Sequence, residues 1–150
     1  MIDDISLEIL RILQEKARIP NIEVSRQVGL APSAVLERIR KLEKQGIIDG
    51  YEVRLNPERF ASGQIAFVHV TVREEQDSPG IGEQLAAVPE IQEVHYVAGD
   101  DGYLIKIRAA NTAELGRLLR VKVHSINGVT ATRTAPVLTT YKETARIPIP

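Results

Sequence analysis

The sequence predicts an α+β protein in two parts: an N-terminal winged helix-turn-helix and a C-terminal ferredoxin-like domain of βαββαβ order. Three observations carry that prediction. Up to about residue 60 the apolar side chains recur at helical spacing, and beyond it strand-like and helix-like segments alternate. Residues 24–51, VSRQVGLAPSAVLERIRKLEKQGIIDGY, read as two short amphipathic helices joined at Gly29, followed by an alternating stretch. Past Gly63 the order is strand, helix, strand, strand, helix, strand. The predicted boundaries are 1–52 for the winged helix-turn-helix, 53–63 for a linker strand, and 64–150 for the βαββαβ domain.

The first helix is predicted over residues 4–16, with Ile5, Ile9, Leu10 and Leu13 on one stripe and Asp3, Asp4 or Ser6 available to satisfy its open amides. A second, residues 21–28, starts beside Pro20, buries Val24 and Val28, and ends on Gly29, a residue suited to the left-handed conformation at a helix end. Pro32 fits the first turn of the third helix, where a missing amide hydrogen costs nothing. Val35, Ile39 and Leu42 form its apolar stripe, and Gly46 closes it. The stretch IIDGYEVRL alternates around an Asp-Gly step, which predicts a strand pair or wing.

In the second part the strands are predicted at 64–73, 92–98, 103–109 and 129–138, and the helices at 80–88 and 112–126. Both crossover helices of that order lie on one face of a four-stranded sheet. Ala66, Val68, Val70 and Val72 then point to the helices, and Ile65, Phe67 and His69 point away, joined by Val97 and Leu104. A mixed apolar face of that kind calls for a second copy to cover it.

Composition narrows the function classes. With no cysteine, a disulfide framework, a thiolate metal site and a cysteine nucleophile are all excluded, and the expected compartment is the cytoplasm. No apolar run approaches the roughly 18 residues that span a bilayer, so no membrane partner is expected. His69, His95 and His124 show no ligand spacing, and the acidic residues no calcium-loop spacing, so no metal and no cofactor are expected. Nor is there a nucleophile elbow, a phosphate loop or an acid–base pair, and the chain is read as no enzyme. The net charge of −1 gives no general attraction to a polyanion. Between residues 18 and 48, however, six basic side chains stand against three acidic ones, a local excess of three positive charges.

That excess falls on the helix-turn-helix, which makes double-stranded DNA the expected partner. The third helix would offer Ser33, Ala34, Glu37, Arg38 and Lys41 outward to the major groove. Arg38 suits a bidentate contact to guanine, Ser33 a phosphate or base, Ala34 a thymine methyl, and Glu37 either cytosine or the orientation of Arg38. Arg18, Arg26, Arg40 and Lys44 suit phosphates, which position the protein without specifying sequence. The rival from another class is a small-molecule-sensing module whose helical part docks on a protein without binding DNA.

These residues also resemble a family. The runs IDDISLEILRILQEKAR, VSRQVGLAPSAVLERIRKLEKQGIIDGYEVRLNP, VAGDDGYLIKI and INGVTATRTAPVL are similar, in order and separation, to the Lrp/AsnC (feast/famine) transcriptional regulators over essentially the whole chain. The resemblance implies an ACT-like ligand-sensing domain, homodimers formed through the sheets and often assembled into octamers, and an amino-acid effector held between dimers. It assigns effector contacts to Gly99, Asp100, Asp101, Tyr103, Thr132 and Thr134. Two departures stand out: Ala31 replaces a capping serine, and Gly102 occupies the place of the second aspartate in the family's Gly-Asp-x-Asp-Tyr loop.

Overall fold

The computed structural model describes residues 1–73, 80–99 and 102–150, and its chain divides into two compact units. One comprises Met1–Arg54 together with Lys142–Pro150, the other Leu55–Tyr141. The sequence places residues 142–150 with the sheet domain, whereas in the structure they cluster with the helices.

In the helical unit, α1 spans Asp4–Glu15, α2 Asn21–Val28 and α3 Pro32–Lys44. Asp3 caps α1, its carboxylate accepting the Ser6 amide at 2.8 Å. Gly29 takes the left-handed conformation (φ 71°) that ends α2, and its amide bonds back to the Ser25 carbonyl. Pro32 opens α3 as predicted, but neither Ala31 nor any other side chain caps that helix. Ile9, Ile12, Val24, Val35 and Ile39 form the core that fixes the three helices, with Val28, Leu30 and Ile48 packed at its margin.

The strand pair predicted around Asp49–Gly50 is not formed within this chain. Residues 47–56 carry no strand, and Gly50 is absent from the positive-φ glycines, so the Asp49–Gly50 step does not make the tight hairpin turn that requires them. The amides of Ile47 and Ile48 instead bond to the Leu42 carbonyl, extending the end of α3. Tyr51 reaches back to the same helix, its hydroxyl donating to Glu43 Oε1 at 2.9 Å.

The second unit has the βαββαβ order: β1 Gln64–Val72, α4 Ile81–Ala86, β2 Ile91–Val97, β3 Gly102–Ala109, α5 Thr112–Leu118 and β4 Val129–Pro136. The sheet runs β2-β3-β1-β4, and all of its pairs are antiparallel. The helix predicted over 112–126 changes character at Leu119, where a π-helical turn, Leu119–Val123, follows α5. Ala66, Val68 and Val70 are buried against Ile81, Leu85, Leu115 and Leu118, so the predicted alternation of β1 is as observed.

The opposite sheet face is set by register. One row across it is His95, Leu104, His69 and Arg133, and the next is Glu93, Lys106, Phe67 and Ala135. Phe67 is 41% exposed in the middle of the second row. Glu93 sits 3.1 Å from His95 and 3.4 Å from Lys106, and the hydrogen bonds from these two side chains hold its carboxyl below the usual range against the opposing effect of burial.

Candidate nucleic-acid interface and effector loop

Helix α3 buries Val35, Ile39 and Leu42, so the side chains about half a turn away must face out. Ser33, Glu37, Arg40, Lys41 and Lys44 are all exposed, and among the described residues none of the three cations is in an ion pair. Positive charge without an internal partner remains available to an external anion. Arg18 is likewise exposed and unpaired, whereas Arg26 lies 3.3 Å from Glu23 on its own helix.

Arg38 and Ala34 differ from the outward placement expected of them. Both are half-buried and turn toward the N-terminal segment, lining with Met1, Ile2, Asp3, Ser6 and Lys41 a shallow groove of about 570 Å³. Arg38 Nη1 donates to both Asp3 carboxylate oxygens, at 2.9 and 2.7 Å, and to Ser6 Oγ at 3.0 Å. Held so, Arg38 locks α3 to the start of α1, and one guanidinium nitrogen already serves three acceptors inside the molecule. The hydrogen bond from Arg38, helped by those from Ser6, lowers the Asp3 pKa to about 2. Sequence reasoning gave Asp3 and Ser6 only as capping candidates, because a contact across 35 residues leaves no periodic signal.

The uncapped start of α3 belongs to the same surface. Without a side-chain oxygen from residue 31, the first amides of a 13-residue helix keep their partial positive charge facing out beside Ser33. A phosphate oxygen is the natural partner for such an end. At the other end Tyr51, whose pKa is raised to about 12 by burial and by its bond to Glu43, stays neutral and ties the following chain to α3.

In the sheet unit the effector candidates are distributed by register. Asp100 and Asp101 lie outside the described residues. Gly99 precedes them in a left-handed conformation (φ 95°) with open space around it. Tyr103 and Thr132 flank Val70 on either side, two inter-strand spacings or roughly 10 Å apart, and Thr134 pairs with Val68 one row further along. All three point to the helix side of the sheet. Tyr103 packs under Gly82, where an added Cβ would lie 3.0 Å from its ring, and edge-on to Tyr96 at 5.3 Å between centroids. Thr132 Oγ1 shares a 2.7 Å hydrogen bond with His124 Nε2, a partner that sequence reasoning did not connect to it. Neither the groove beside α3 nor a second one of about 610 Å³ near α5 is lined by Gly99, Tyr103, Thr132 or Thr134.

Gly102 explains its own departure from the loop pattern. A Cβ at this position would stand 1.9 Å from the Val70 carbonyl oxygen, so β3 can approach β1 this closely only without a side chain here. An aspartate is sterically excluded unless the strands part.

Comparison with known proteins agrees with both units. The family profile described as the Lrp/AsnC ligand binding domain matches residues 65–147, and a winged helix-turn-helix DNA-binding profile matches residues 2–49. The leucine-responsive regulatory protein of Haemophilus influenzae is 40% identical over 147 residues, covering 95% of this chain and 87% of that one. A transcriptional regulator from Neisseria meningitidis, solved as its L-methionine complex, superposes with a TM-score of 0.91 at 29% identity, covering 99% and 97% of the two chains. A feast or famine regulatory protein from Mycobacterium tuberculosis, also complexed with L-methionine, gives 0.89 at 31% identity over the whole of both chains. Two profiles in the right order, full-length relatives and a matching fold converge: this chain belongs to the Lrp/AsnC family of DNA-binding transcriptional regulators.

Proposed function

We propose that α3 reads DNA with the edge formed by Ser33, Glu37, Arg40, Lys41 and Lys44, that Arg38 is a positioning residue on this edge's flank, and that the sheet unit answers to an apolar α-amino acid. The observation that carries the first part is the set of three exposed cations, without ion-pair partners among the described residues, on one side of a braced helix. Arg40 and Lys44 lie toward phosphates, Lys41 and Glu37 toward base edges, and the open amides at the start of α3 meet a phosphate. Arg18 and Arg26 extend the contact to the backbone. Ala34 keeps its thymine-methyl role only at the margin, because it is half-buried.

The face carrying Phe67, His69 and Leu104 is covered by a second copy, and dimers of this kind place two α3 helices on successive major grooves, about 34 to 36 Å apart. The effector reading is supported by the L-methionine complexes of two relatives. Gly99, Asp100, Asp101, Tyr103, Thr132 and Thr134 contribute from one chain, and the spread of the described members over the sheet favours a site completed by another copy, in an assembly such as an octamer. With Gly102 fixed by the Val70 carbonyl, the ammonium of an effector falls to Asp100 or Asp101.

Selection of bound DNA from a random pool, repeated with each amino acid present, tests the reading. The expected result is enrichment of a two-fold symmetric site, with the enriched pool changed by an apolar amino acid. A pool that stays unenriched under every condition would favour a docking module that binds protein instead.

A further inference from the structure

The chain leaves the helical unit at Arg54 and returns to it at Lys142, and its last nine residues, KETARIPIP, are held on the C-terminal half of α1. Gln14 grips Ile147 by its main chain alone. The Ile147 amide donates to Gln14 Oε1 at 2.9 Å, and Gln14 Nε2 donates to the Ile147 carbonyl at 2.9 Å, while the isoleucine side chain itself stays exposed. Arg146 pairs with the Glu15 carboxylate at 2.9 Å and donates to the Glu15 carbonyl at 3.4 Å. Arg11, paired with Glu8, donates to the main-chain oxygen of Pro150.

Two features make these contacts more than incidental. Helix α1 has no basic residue in its last turn and no left-handed residue at its end, so past the Ile12 carbonyl, which accepts the Lys16 amide at 3.0 Å, its last carbonyls have neither a basic side chain of their own turn nor a left-handed cap to serve them. Arg146 supplies both a donor and the positive charge that a helix C-terminus favours. The bound segment is also stiff before it docks, because Pro148 and Pro150 fix their own φ and push Ile147 and Ile149 toward extended backbone. Little freedom is then lost on binding.

We propose that Arg11, Gln14 and Glu15 form a docking edge on α1 whose occupant is this chain's own residues 144–150, and that the occupied edge completes the helix-turn-helix unit. The edge recognises an extended, proline-spaced main chain with one arginine. It does so independently of what α3 binds. Because α1 also holds Arg38 through Asp3 and Ser6, release of the strap loosens the helix on which α3 is braced.

Hydrogen exchange of the full chain compared with Gln14→Ala, Arg146→Ala and a chain ending at Tyr141 tests this. The amides of α1 are expected to exchange about three- to tenfold faster in each variant, with β1 and β3 unchanged. A synthetic KETARIPIP peptide at millimolar concentration should restore protection to the shortened chain but not to the shortened chain that also carries Gln14→Ala. Unchanged exchange in the variants, or rescue that ignores Gln14→Ala or fails altogether, would overturn the proposal. So would α1 protection that rises with protein concentration, because the strap would then come from a second copy. The two point substitutions keep the test decisive if the shortened chain does not fold.

Discussion

Arg38 shows how a residue chosen for one chemistry can serve another. Its guanidinium satisfies Asp3 and Ser6 inside the helical unit, so Arg38→Ala and Asp3→Asn are expected to lower the melting temperature, and the double substitution to lower it little further than the larger single change. Selected DNA should show weaker binding by Arg38→Ala with unchanged base preference, whereas a base-reading arginine would relax preference at one position. The pH dependence has a definite sign. Asp3 titrates at about 2 when folded against 3.8 as a free side chain, so its contribution is complete above about pH 4 and is lost as pH falls toward 2. Asp3→Asn should remove that part of the acid unfolding profile. At Gly102 the expected effect is on stability: Gly102→Asp forces β1 and β3 apart and should cost about 1–3 kcal/mol or more in urea unfolding.

Among the elements, α3 is the most exposed to a simple test. Ala31→Ser would supply the missing cap and is expected to stabilise the helical unit by about 1 kcal/mol in thermal or urea unfolding. No change would mean that the start of α3 is already satisfied. Element order and type were legible in the sequence wherever local signals agreed. Helix α2 came out at its predicted bounds because Pro20 and Gly29 mark both ends, and β1 because its alternation faces a real core. The strand pair around Asp49–Gly50 differs because a turn signal alone does not make a ladder: Asp49–Gly50 favours a hairpin, but a ladder needs strands to pair, and Ile47 and Ile48 turn to the Leu42 carbonyl instead. The π-turn after α5 was invisible, since the same apolar spacing suits a longer α-helix. In the candidate site, the exposed cations of α3 were readable from helical period. The Arg38 lock, the His124–Thr132 bond and the C-terminal strap were not, because each joins residues with no shared periodicity.

For the whole molecule, the two units divide the work. The helical unit presents charge, and the sheet unit presents a face whose apolar centre, Phe67 and Leu104, is ringed by Glu93, His95, Lys106 and Arg133. Phe67→Glu places an uncompensated charge at that centre and is expected to weaken self-association at least about tenfold by sedimentation, a cost of roughly 1.4 kcal/mol or more. Unaltered association would move the interface elsewhere. The central claim, that α3 meets DNA through its exposed cations Arg40, Lys41 and Lys44, is tested most directly by the salt dependence of binding to a selected site. In a dimer, Arg40→Ala and Lys44→Ala are each expected to reduce the slope of log K against log salt by about 2, one phosphate contact per half-site. Slopes identical to that of the unaltered protein would contradict it.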